Sequence, residues 1–89
     1  MPTHHLIIKG QVQGVFYRAT AKEVAKKTDI TGWIKNTKDG SVEALISGDE
    51  HSVQEFVAWC KKGPPTAVVT EVIVTNEPET EFRNFQIVK

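Results

Sequence analysis

Within 89 residues, the order in which the apolar periodicities change restricts the architectures open to this chain. The run from His4 to Lys9 is rich in β-branched residues and closed by Gly10, which predicts a strand of about six residues. From Tyr17 onward, Tyr17, Ala21, Val24, Ala25 and Thr28 share one helical face, predicting an amphipathic helix that ends near Thr28 or Asp29. Strand-like runs at Gly32 to Thr37 and Ser41 to Ser47 flank Lys38-Asp39-Gly40, and Asp-Gly between such runs signals a hairpin. Asp49 suits the N-cap of a second helix, in which Val53, Phe56, Val57 and Cys60 fall at i, i+3, i+4 and i+7 before Gly63-Pro64-Pro65 stops it. Ala67 to Thr75 predicts a further strand and Phe82 to Val88 a short last one. In the former, Ala67 and Val69 share one parity and Val72 and Val74 the other, which predicts a β-bulge near Thr70 and Glu71.

The resulting order is β, α, β, β, α, β with an added C-terminal strand. Two short helices cannot cover both faces of a parallel sheet, but they can cover one face of an antiparallel one. The expected fold is therefore α+β, a ferredoxin-like open-faced sandwich with four antiparallel strands plus a short fifth, formed by residues 1–89 as a single domain.

Composition removes several functions from consideration. Eleven basic and eleven acidic residues cancel, so no overall field attracts nucleic acid or an anionic membrane, and any anion site must be local. The strand before the second helix, Ser41 to Ser47, has no aromatic residue with which to stack RNA bases. His4 and His5 point to opposite faces of a strand and His51 lies in another element, so no metal site and no cofactor are expected. The lone cysteine, Cys60, sits on an apolar helical stripe and is expected to fill the core rather than act as a nucleophile. With no paired cysteines, no membrane-length apolar run and no charged leader, the cytoplasm is expected. A monomer is expected too, with Ile7, Trp33 and Leu45 sharing the open sheet face as the surface that a weak homodimer or a partner would use.

One segment carries chemistry. Gly10-Gln11-Val12-Gln13-Gly14-Val15-Phe16-Tyr17-Arg18 joins the first strand to the first helix. Such a loop offers successive backbone N–H groups, and the helix N-terminus adds unpaired donors and a positive dipole end. Arg18, in the first turn, leans back over that cradle, where its guanidinium matches two phosphate oxygens. On the hairpin, the period of two puts Asn36 on the same face as Ile34, which is the natural helix-facing residue. An amide pointing inward there either caps the turn through an Asx-type bond or serves the site.

GQVQGVFYR at 10–18 resembles the acylphosphatase signature G-x-V-Q-G-V-x-[FY]-R, and GWIKNTKDGSVEALISG at 32–48 resembles that family's second signature. The similarity continues through Gly63-Pro64, Ala67 and Val69 to Phe85 and Ile87. It implies hydrolysis of the carboxyl-phosphate bond of small acyl phosphates, with inorganic phosphate or sulfate competing for the site. Position by position, Arg18 matches the phosphate-binding arginine, Asn36 the asparagine that orients the attacking water, and Gln13, Gly14, Val15, Phe16, Tyr17 and Arg18 the phosphate cradle. Ile34 stands where a smaller aliphatic is usual, and Thr28-Asp29 replaces a common Leu-Gly, without touching the site. A non-catalytic module of the same fold, binding an anionic metabolite or docking on a larger enzyme, would also bind phosphate and differs only in lacking turnover.

Overall fold

The computed structural model describes all residues, Met1 to Lys89. The strands are β1 (Thr3–Gln11), β2 (Thr31–Asn36), β3 (Val42–Ser47), β4 (Val68–Glu77) and β5 (Phe85–Ile87), and the helices are α1 (Tyr17–Lys27) and α2 (Glu50–Lys62). They form one sheet in the order β4-β1-β3-β2-β5. β1 runs antiparallel to both β3 and β4, and β2 antiparallel to β3, so β1-α1-β2 and β3-α2-β4 are two interlocked split βαβ units. β5 differs in joining β2 in parallel.

The strand alternation decides what is buried. Leu6 and Ile8 of β1, Ile34 of β2, and Val42, Ala44 and Ile46 of β3 have no exposed surface and face the helices. Against them lie Tyr17, Ala21 and Ala25 of α1 and Val53, Phe56 and Cys60 of α2, the stripes that the helical spacing predicts. Ile7, Trp33 and Leu45, on the opposite face, are only half-buried. That face also carries a cross-strand group in which Glu43 binds His5 Nε2 at 2.6 Å and Lys35 Nζ at 3.8 Å.

Several element ends differ from expectation for identifiable reasons. β1 continues beyond Gly10 because Gly10, at φ 127, lets the strand run against β4, where a Cβ would stand 2.1 Å from the Val68 carbonyl oxygen. Lys9 pairs with Glu71 and Gly10 with Val69, leaving Thr70 as the extra residue, so the expected bulge is present. The last strand begins at Phe85 rather than Phe82. Upstream, a hydroxyl cluster holds the connecting segment to the sheet. Thr3 Oγ1 lies 2.6 Å from Ser47 Oγ, Ser47 Oγ donates to the Thr80 carbonyl at 2.7 Å, and Thr80 N–H donates to Thr3 Oγ1 at 2.9 Å.

The start of α2 and the end of α1 follow capping chemistry. Asp49 accepts a hydrogen bond from Ser52 N–H at 2.8 Å, as an N-cap should. At the end of α1, Asp29 takes φ 57 and Ile30 N–H reaches the Ala25 carbonyl at 2.9 Å, the longer bond of a Schellman motif. Glycine adopts that left-handed conformation without a Cβ clash. Asp29→Gly should therefore stabilise the protein by a few tenths to about 1 kcal/mol, seen as a higher urea midpoint at unchanged slope.

Candidate functional site

The β1–α1 connection owes its shape to three anchors. Gly14 at φ 72 and Phe16 at φ 63 bend it through the left-handed region. Gln13 extends its side-chain amide to the β2–β3 turn, where Nε2 donates to the carbonyls of Thr37 and Ser41, both at 2.8 Å. Thr66, just after α2, donates its hydroxyl to the Val15 carbonyl at 2.8 Å. The loop is thus tied to parts of the chain far from it in sequence.

Tyr17 then fixes where the helix begins. Its ring is 1% exposed and packs against Trp59, and its hydroxyl donates to the Cys60 carbonyl at 2.8 Å. Driving Tyr17 inward turns the next residue, Arg18, onto a partly solvated face. Arg18 has no carboxylate partner, and the first turn of α1 contains no acidic residue.

The backbone here is equally unpaired. Phe16 occupies the N-cap position, and no side chain caps the helix. Along the stretch 14–20, the first backbone N–H to find an acceptor is that of Thr20, which donates to the Phe16 carbonyl at 3.0 Å. Uncapped amides and an unpaired guanidinium in one turn concentrate positive potential at one point of a chain with no net charge. Gly14, Phe16, Tyr17 and Arg18 line a cavity of about 280 Å³ there, together with Ile87 of β5.

Asn36 does not line this cavity, but the sheet register carries it close. Ile34 pairs with Ile87, and Asn36 lies one pleat further along β2 on the same side, about 6.8 Å along the strand. Its Oδ1 is buried with no hydrogen-bond partner in the protein. The turn has other caps: Thr37 Oγ1 donates to Asp39 Oδ1, and Ser41 N–H donates to both Thr37 Oγ1 and Asp39 Oδ1. The Thr37 hydroxyl first, and then Ser41, hold the Asp39 carboxyl below its ordinary value. Asn36 is therefore free of the turn-capping duty that was its alternative role.

The expected cradle residues accordingly divide by the part each plays. Gly14, Phe16 and Arg18 face the cavity, Val15 is half-buried with its carbonyl held by Thr66, and the Tyr17 side chain belongs to the core. Gln13 uses its side chain as a strut, which spacing alone does not reveal. A glutamine directly after a buried valine, followed at once by glycine, is the signal that was available for it.

The fold is a ferredoxin-like α+β sandwich, and its loop-helix junction has the donors that a tetrahedral oxyanion requires. The acylphosphatase family model matches residues 4–87 of the chain. The chain is 43% identical over 86 residues to an acylphosphatase of Methylococcus capsulatus, covering 96% of this chain and 94% of that one. The crystal structure of an acylphosphatase from Bacillus subtilis is similar at TM-score 0.96 and 39% identity, over 100% of both chains. An acylphosphatase from Coxiella burnetii is similar at TM-score 0.94 and 31% identity, over 98% of this chain and 92% of that one. The chain belongs to the acylphosphatase family, enzymes that hydrolyse acyl phosphates.

Beneath the site, Cys60 is fully buried, and desolvation pushes its thiol from 9.0 up to about 12. Burial, with Cys60 adding to it, also raises the Tyr17 hydroxyl. Both groups fold in their neutral forms, so the folded state holds protons that the unfolded chain releases. Stability from this source is complete below the ordinary thiol value of 9.0 and declines as pH rises toward 12. Native protein should resist iodoacetamide at pH 8 and react only after denaturation, as intact mass would record.

Proposed function

We propose that this protein hydrolyses the carboxyl-phosphate bond with water as the in-line nucleophile, using neither a metal nor a covalent intermediate. The observation that carries this reading is the pairing of unsatisfied groups: unbonded loop amides and a free Arg18 on one side, and the buried, unpartnered Oδ1 of Asn36 on the other. The amides of the loop from Gln13 to Arg18 and the Arg18 guanidinium hold the phosphoryl oxygens. Their hydrogen bonds strengthen as charge redistributes in a loose transition state. Asn36 Oδ1 accepts a hydrogen bond from a water molecule and aims its oxygen at phosphorus.

As the new oxygen–phosphorus bond forms, the bond to the acyl oxygen breaks and its electron pair leaves with the carboxylate. A carboxylate is a weak base, so no acid has to protonate it. The proton of the attacking water passes to a phosphate oxygen. A single guanidinium and several amides suit inorganic phosphate and sulfate equally well, so both should compete with substrate.

Asn36→Ala should leave phosphate affinity and KM close to unchanged. It should raise the barrier by about 3 to 4 kcal/mol, roughly a hundred- to thousandfold in kcat on benzoyl phosphate. A folded, phosphate-binding variant with near-normal kcat would remove Asn36 from the reaction. Arg18→Lys should be nearly as inactive as Arg18→Ala, because an ammonium cannot reproduce the planar two-point grip. Turnover measured with excess EDTA should equal turnover without it; activity lost to the chelator and restored by magnesium would require a different mechanism. A binding-only module would titrate phosphate with the same affinity and release no benzoate.

A further inference from the structure

Phe16 combines an unfavourable backbone with an unburied side chain. At φ 63 and ψ 21 it occupies the left-handed region, where a bulky side chain is an outlier, and its side chain is 76% exposed. Glycine at this position would relieve the backbone, and no core packing compensates for keeping a phenyl ring in water. Strain maintained without a packing return points to a function at that position.

The same cavity has a second exposed apolar side chain in its lining. Ile87 of β5 is 37% exposed, although its register partner Ile34 is fully buried on the same side of the sheet. Phe16 and Ile87 line the same cavity of about 280 Å³ as Arg18, and Arg18 is the only charged residue in that lining. The lining is therefore cationic at Arg18 and apolar at Phe16 and Ile87. An acyl phosphate has the matching polarity, with a multiply charged phosphoryl group joined to an organic acyl group. When the phosphoryl group occupies the amides and Arg18, the acyl group extends toward Phe16 and Ile87.

We infer that Phe16 and Ile87 form the acyl-group wall of this enzyme and select acyl phosphates whose acyl group is apolar, aromatic groups above all. The phenyl face of Phe16 offers a ring an offset or edge-on partner, and Ile87 excludes water from its other side. This inference rests on the reading that the loop and Arg18 hold phosphate. It adds which side chains discriminate among substrates.

Two non-hydrolysable anions test it apart from catalysis. Methylphosphonate and benzylphosphonate carry the same anionic group and differ by a phenyl ring. Calorimetric titration of the unaltered protein should show benzylphosphonate binding about tenfold more tightly, the effect of one ring held against two side chains. In Ile87→Ser and in Phe16→Gly this ratio should fall below about threefold, with each variant's thermal melt confirming that it folds. A ratio near one in the unaltered protein, or an undiminished ratio in both folded variants, would overturn the wall. Failure of the underlying reading looks different: Arg18→Ala would then bind both phosphonates as the unaltered protein does, and the wall would lose its cradle with it. If the unaltered protein prefers benzylphosphonate but releases no benzoate from benzoyl phosphate, the wall stands and hydrolysis falls.

Discussion

The site depends on one side chain that touches neither the cavity nor the core. Gln13 reaches from the β1–α1 loop to the carbonyls of Thr37 and Ser41, two 2.8 Å bonds that join segments 24 and 28 residues away. Without that strut the bond from Thr66 to the Val15 carbonyl would be the loop's one remaining side-chain tie, and loosely held amides bind anions poorly because ordering them costs conformational entropy. With it, the loop is fixed against the turn that follows Asn36. The loop and Asn36 belong to the same split βαβ unit, β1-α1-β2, but to opposite ends of its helix connection, and Gln13 ties the loop to the turn beside Asn36.

Several costly features lie near this strut, and others lie away from it: Asp29 at the end of α1 is also left-handed, and His4 Nδ1 is also buried without a partner. Phe16 and Gly14 sit in the left-handed region within three residues of one another, and Asn36 carries a buried oxygen with no partner. A buried, unpaired acceptor typically costs about 1 to 3 kcal/mol. Such a cost persists where the surrounding structure over-determines it. Here β2 fixes Asn36 through its pairing with β3 on one side, while the adjacent β5 meets β2 at Gly32 to Ile34 on the other. The rigid sheet holds the amide in place, and the opposite, open face of that sheet carries no comparable arrangement.

Much of this was legible in the sequence because it depends on periodicity and turn chemistry. The helical stripes, the Asp-Gly hairpin, the Asp49 cap and the bulge at Thr70 follow from local patterns, and each is present. Those patterns also set Asn36 on the helix-facing side, since a period of two leaves no freedom once Ile34 is buried. What was not legible depends on pairing between distant segments. The parallel placement of β5 beside β2, its late start at Phe85 and the hydroxyl cluster of Thr3, Ser47 and Thr80 have no local signature. Gln13 looked like a loop residue for the same reason, because its acceptors are backbone carbonyls and any residue supplies those.

Strongly shifted titrating groups usually mark an active site, and in this chain they do not. Tyr17 and Cys60 are raised by burial, and the Tyr17 hydroxyl spends its proton on the Cys60 carbonyl. Their shifts belong to the packing that sets the start of α1. The reaction itself makes this intelligible. When the leaving group is a carboxylate, protonating it gains little, so a tuned acid has nothing to supply and the useful terms are alignment and fixed charge. Such a site needs unpaired donors in a fixed geometry more than it needs a group near neutral pKa. The loop amides and Arg18 come from a single β-α junction, which Gln13 and Thr66 tie to distant parts of the chain.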